Sequence, residues 1–186
     1  MTYPPEPLTL GEIRQLLDAC GSKSATGLRN RALIVTLWRA GLRISEALAL
    51  QFRDLDNDVL RVRHGKGNKA RTVALDPEAM AFLQAWTERK ARLGIGGPIL
   101  STLKGAPLLP SYVRNLLPRL AKRAGIAKRV HAHGLRHTFA AELADEKTDL
   151  RVIQHALGHT SLATTARYVD HLRPQAVIDT LRARVW

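Results

Sequence analysis

The sequence predicts a mainly α-helical fold with one small antiparallel β-sheet, an α+β domain. Three observations predict it. Apolar residues recur at helical spacing through most of the 186 residues. The period changes to two in one place only, on either side of a run of turn residues. Glycines and prolines fall where the helical segments begin and end.

Residues 1–8 are Pro-rich and read as an extended lead-in, leaving 9–186 as a single domain. Thr9 and Glu12 form a capping box, and Leu10, Ile13, Leu16 and Leu17 follow at helical spacing until Gly21. A second helix covers about 27–40, apolar through Leu33, Ile34, Leu37 and Trp38, and Gly41 stops it. A short third helix, Ile44 to Leu50, places Arg43 at the junction. Leu60 and Val62 then alternate with Arg61 and Arg63, and Val73 and Leu75 with Thr72 and Ala74. Between them lies Gly65-Lys66-Gly67-Asn68, so this is a β-hairpin with a basic tip.

Asp76-Pro77 starts a helix whose inner face is Met80, Leu83 and Trp86. Residues 94–110 read as loop, with a short strand at Ile99-Leu100. Ser111 opens a helix through Val113, Leu116, Leu117, Leu120 and Ala124, ended by Gly125 and kinked or split by Pro118. On the next helix His133 and Arg136 share a face. Gly158 stops a further helix and leaves His159 on a turn; Ser161 caps the helix that carries Tyr168. After Pro174 a last helix has Val177, Ile178 and Leu181 on one side.

Lys plus Arg number 29 against 16 acids, a net charge of +13 and a pI near 10.8. That balance in one domain points to a polyanion, with nucleic acid foremost. No apolar run approaches the ~20 residues of a membrane span, and the first residues lack the pattern of a signal peptide. Cys20 is the single cysteine, which rules out an intrachain disulfide and a four-Cys zinc site and fits a cytoplasmic setting.

Breaking a DNA phosphodiester without metal requires cations on the non-bridging oxygens, an in-line nucleophile, and an acid for the leaving 5′ oxygen. The chain supplies each part. Arg43 and Arg136 are candidates for a bidentate clamp, Tyr168 for the nucleophile, and Lys66 for the acid. His133 and His159 suit proton transfer and hydrogen bonding to the transition state. On the hairpin, Lys69, Arg71, Arg61 and Arg63 are candidate DNA contacts. Arg136 also reads as a buried ion pair with Glu142 or Asp145, and Glu46 or Asp54 as a group that orients Arg43. His131, His133 and His137 raise a metal reading, since 133 and 137 stand at i, i+4. No Glu stands at 134 and no further ligands are evident, so neither metal nor cofactor is expected.

Four segments carry a resemblance: Ala40–Glu46 (AGLRISE), Gly65–Arg71 (GKGNKAR), His133–Ala140 (HGLRHTFA), and Leu157–His159 (LGH) followed by Thr164–Tyr168 (TTARY). Together, in this order, they resemble the catalytic domain of the tyrosine recombinase, or phage integrase, family. The resemblance implies metal-independent strand cleavage and rejoining through a 3′-phosphotyrosyl link. It assigns the family's catalytic positions to Arg43, Lys66, His133, Arg136, His159 and Tyr168, with none substituted. It further implies double-stranded DNA as substrate, a monomer when free, a tetramer on DNA, an accessory DNA-binding protein as a candidate partner, and a nucleoid-associated location. Similar members carry an N-terminal core-binding domain; about eight residues precede the first helix here, so that domain is expected to be absent from this chain. Two other functions share the charge: a non-catalytic DNA-binding regulator on the same fold, and DNA relaxation like that of a type IB topoisomerase.

Overall fold

A computed structural model describes residues 6–63, 70–159, 161, 163, 165, 166 and 182. Lys66, Lys69, Tyr168 and the helix expected after Pro174 lie outside the described residues. Within them the chain is mostly helix with one three-stranded antiparallel sheet: α1 (Leu10–Ala19), α2 (Ala25–Trp38), α3 (Ile44–Ala49), a 3₁₀ turn (Phe52–Asp54), β1 (Leu55–Asp56), β2 (Val59–Val62), β3 (Arg71–Ala74), α4 (Pro77–Arg92), α5 (Pro110–Arg123), α6 (Ala132–Asp145) and α7 (Leu150–Leu157).

Helix α2 is the centre. Leu33, Ile34, Val35 and Leu37 are fully buried on every side of it, as expected for a helix enclosed by others. α4 and α6 pack against it. The capping box of α1 is formed: Glu12 N–H donates to Thr9 Oγ1 at 3.2 Å, and Thr9 N–H to Glu12 Oε2 at 2.7 Å. Asp76 caps α4 by accepting from Ala79 N–H at 3.1 Å, with Pro77 in the first turn. The lead-in docks on α6, where Leu8 N–H donates to Thr138 Oγ1 at 3.0 Å.

The hairpin forms with Leu60 opposite Val73 and Val62 opposite Arg71. Three features depart from the sequence reading. A third strand, β1, precedes the hairpin, because Asn57 adopts a left-handed φ of 53° and turns Asp56 back onto Val59. Ile99 and Leu100 are fully buried but form no strand. Their segment is held by single bonds instead: Ile99 N–H to Leu50 O at 2.9 Å, Trp86 Nε1 to Ile99 O at 2.8 Å, and the buried Lys90 Nζ to Gly96 O at 2.6 Å and Ser101 Oγ at 2.5 Å. Third, α5 is one helix through Pro118. An interior proline costs a helix about 3 kcal/mol. Burial of Leu116, Leu117 and Leu120 around it, at roughly 1.5–3 kcal/mol each, outweighs that cost.

Candidate active site

The site forms where α3, α6, the end of α7 and β3 meet. Gly41 makes the meeting possible. Its φ of 57° turns the chain shortly after α2, and a side chain there would lie 2.3 Å from the Phe139 ring on α6. With the two backbones this close, Arg136 reaches Gly41 O through Nη1 at 2.5 Å. Nearly two turns further along α6, Glu142 accepts from Trp38 Nε1 and from Arg39, each at 2.9 Å. Residues 136, 139 and 142 thus fasten α6 to the end of α2. Glu142 is therefore not the partner of Arg136.

The carboxylate of Glu46 is the hub, its side chain only 2% exposed. Arg71 binds it bidentately at 2.9 and 2.8 Å. Arg43 donates its Nη1 to Oε1 and its backbone N–H to Oε2, both at 2.8 Å. Arg136 Nη1 stands 4.0 Å from Oε2. Burial by itself would raise the Glu46 carboxyl; the Arg71 and Arg43 hydrogen bonds outweigh it and hold the group down at about 2.

The same three arginines hold the end of α7, each on a successive carbonyl. Arg71 Nε donates to Ala156 O at 3.0 Å, Arg136 Nη2 to Leu157 O, and Arg43 Nη2 to Gly158 O at 3.2 Å. A helix C-terminus carries partial negative charge, so cations belong there. Gly158 closes the helix with φ 59°, ψ 45°, and a Cβ on it would lie 2.9 Å from Arg71 Nη1. Gly158→Ala is expected to be strained on both counts, displacing Arg71 and His159. The expected cost is on the order of 1–3 kcal/mol, read as a lowered thermal midpoint.

His159 follows directly. Its Nδ1 lies 3.0 Å from Thr165 Oγ1, and its backbone is tied to Gln154 in both directions. Burial first, then Arg136, Arg43, Arg71 and His133, push this imidazole down to about 4. It is neutral at physiological pH. Its folded form resists a proton that the unfolded chain accepts near 6.5, so stability is full above that value and is lost as pH falls towards 4. His133 sits at the exposed start of α6, one turn before Arg136; partial desolvation of its ring, then Arg136 and Arg43, lower it too.

Among the described residues, three guanidiniums thus gather on one carboxylate, beside two imidazoles whose proton affinity is lowered. The structure therefore brings Arg43, His133, Arg136 and His159 together. Lys66, Lys69 and Tyr168 lie outside the described residues. Arg71, expected among DNA contacts, faces inward, 4% exposed, and donates to Glu46 and Ala156. Its spacing held the signal, since 71 shares the inward parity of Val73 and Leu75. Arg61 and Arg63 do point outward. Asp54 accepts from Arg63 and from Gln51 N–H, so it braces the hairpin rather than Arg43. With Arg53, which the sequence did not single out, these arginines line a cleft of about 360 Å³ beside Glu46. Among the described residues, no group of three or more His, Cys, Asp or Glu side chains is arranged to hold a metal.

The profile of the Phage integrase family matches residues 6–174. The chain belongs to the phage integrase family. Relatives in it include the tyrosine recombinase XerC of Halalkalibacterium halodurans, 37% identical over 175 residues, covering 87% of this chain and 58% of that protein. The XerC of Chromohalobacter salexigens is 36% identical over 166 residues, covering 88% and 55%. The chain thus spans a little over half the length of these curated relatives. Among solved structures, the XerA recombinase superposes with a TM-score of 0.82 at 29% identity, covering all of this chain and 68% of that one. The XerH site-specific recombinase, in a post-cleavage complex with a palindromic difH substrate, gives 0.77 at 29%, covering 96% and 53%. Within the phage integrase family, the helical core and small sheet of this chain are therefore the expected architecture.

Proposed function

We propose that residues 9–186 act as the catalytic unit of a site-specific DNA recombinase that cuts and rejoins strands through a 3′-phosphotyrosyl link. The observation that carries the reading is the gathering of three guanidiniums, Arg43, Arg71 and Arg136, around the single carboxylate of Glu46, next to the imidazoles of His133 and His159. In this reading Arg43 and Arg136 exchange carbonyl partners for the non-bridging oxygens of the scissile phosphate. The Tyr168 oxygen bonds to phosphorus and the bond to the 5′ oxygen breaks. That oxygen leaves with the electron pair and takes a proton from Lys66. The phenolic proton passes to a neutral imidazole, His133 or His159. Rejoining reverses the steps: a 5′-hydroxyl attacks the phosphotyrosine and restores the phenol. The guanidiniums neutralise charge where a metal otherwise would.

Arg61, Arg63 and Lys69 serve as contacts to the double-stranded DNA, and the protein works with the nucleoid. Exchange between two sites calls for four protomers, so the free monomer assembles into a tetramer on DNA. Residues 174–186, with Val177, Ile178 and Leu181, act as the docking segment, and an accessory DNA-binding protein assists. The recombinase names of the relatives favour this over the regulator and topoisomerase readings.

The test uses a pool of nicked duplexes of randomised sequence in EDTA. A covalent protein–DNA band is expected, and sequencing its DNA gives the target site. Loss of the band in chelator, restored by magnesium or zinc, would overturn the metal-independent mechanism.

A further inference from the structure

Helix α6 begins in an uncommon way. Its N-cap is His131, whose Nδ1 accepts the Gly134 N–H at 3.1 Å. Ser, Thr, Asp and Asn are the usual caps, because their oxygens remain acceptors at any ordinary pH. An imidazole nitrogen accepts only while it is unprotonated, so this cap demands the neutral tautomer with its proton on Nε2. The ring is also stacked on His133, with centroids 6.4 Å apart and planes 15° apart. One side chain thus fixes both the first turn of α6 and the ring of His133, one turn before Arg136.

We propose that His131 is a positioning residue of this site: as a neutral imidazole it caps α6 and backs the His133 ring, and on protonation it releases both. This rests on the reading of His133 as part of the cleavage site. Protonation removes the acceptor lone pair, leaving the Gly134 N–H without its bond. It also places a positive charge at the positive end of a helix, against the macrodipole. Burial is the larger cause that holds the ring below its ordinary value; the charged Arg129 on the preceding segment and the titratable His133 on α6 add to it. The capped form is therefore complete above the ordinary imidazole range, near pH 6.5, and is lost as pH falls through the lowered value. The cleavage site acquires an acid limit that belongs to a residue outside the chemistry.

The variants that separate this from simple structural support are His131→Asn and His131→Ala. The Asn side-chain oxygen caps without titrating; Ala does not cap. Single-turnover cleavage and DNA affinity are measured from about pH 8 down to about pH 5, a range that brackets ordinary imidazole titration. In parallel, the backbone amide of Gly134 is followed by NMR in the wild-type protein. Wild type is expected to lose activity on the acid side as the Gly134 amide shifts. His131→Asn keeps the cap and loses the ring behind His133, so its rate near pH 8 should lie between those of wild type and His131→Ala, and relative to that rate it should lose several-fold less than wild type towards the acid end. His131→Ala should lose about fivefold near pH 8, with DNA affinity unchanged. An acid limb in His131→Asn identical to wild type would overturn the proposal by assigning the limb to His133 or His159. A wild-type protein that cleaves nothing would count against the recombinase reading instead. In that case the Gly134 amide still decides the cap: a shift that tracks His131 protonation supports it, and an amide that does not move overturns it.

Discussion

Glu46→Gln is expected to slow strand cleavage by on the order of 10²-fold or more and to destabilise the fold by about 3–5 kcal/mol. The carboxylate accepts from both Arg71 nitrogens, from Arg43 Nη1 and from the Arg43 N–H, with Arg136 4.0 Å away. An amide retains one acceptor and turns an NH₂ towards guanidiniums. Three cations, two of them nearly inaccessible, then face each other without the carboxylate that bridges them. The carboxyl titration gives a similar size: held at about 2 against an ordinary 4.5, it corresponds to about 3 kcal/mol. Because the folded value is lowered, that stability is present above about 4.5 and is lost as pH falls towards 2. Thermal unfolding near neutral pH and single-turnover cleavage check the two effects separately. A glutamine variant with wild-type melting and rate would mean that the arginines do not depend on Glu46.

Arg136→Lys is expected to lower cleavage by on the order of 10²–10³-fold while leaving the salt dependence of DNA binding nearly unchanged. The charge survives the substitution, so the count of neutralised phosphates does too. The geometry does not survive. Arg136 spans Gly41 O and Leu157 O with two nitrogens of one rigid plane, and so joins α6 to both α2 and α7. An ammonium on a flexible stem can satisfy one of these and cannot present a planar fork to a phosphate. Cleavage and salt-dependent binding measured on one preparation separate the two outcomes. Wild-type cleavage by the lysine variant would mean that Arg136 acts as a point charge and not as a planar fork.

Much of the fold was legible in local pattern. The Thr9–Glu12 box, the arrest of α2 at Gly41, the period-two hairpin and the αL stop at Gly158 depend on neighbours within a few residues, and the sequence displays those. The convergence of Arg43, His133, Arg136 and His159 was legible only through the four matching segments, since no local pattern links residues 115 apart such as Arg43 and Gly158. What stayed hidden was pairing at a distance. Glu46 read as one of two acids near Arg43, and nothing local marked it as the counter-charge of three arginines. Composition suggests solvent for an arginine on a basic hairpin, whereas the parity of Arg71 with Val73 places its side chain inside. Pro118 and the Ile99-Leu100 segment show the same limit. Burial in the assembled core decided both against their local preference.

Cleavage through a 3′-phosphotyrosyl link requires Tyr168 as the nucleophile, and mapping the covalent adduct tests that role most directly. Protein trapped on a nicked duplex in EDTA is digested with nuclease and trypsin, and the peptides are analysed by mass spectrometry. The expected result is a nucleotide phosphate on the peptide containing Tyr168, absent when Tyr168→Phe is treated in the same way. A phosphonucleotide on any other residue, or an adduct that survives in Tyr168→Phe, would contradict it.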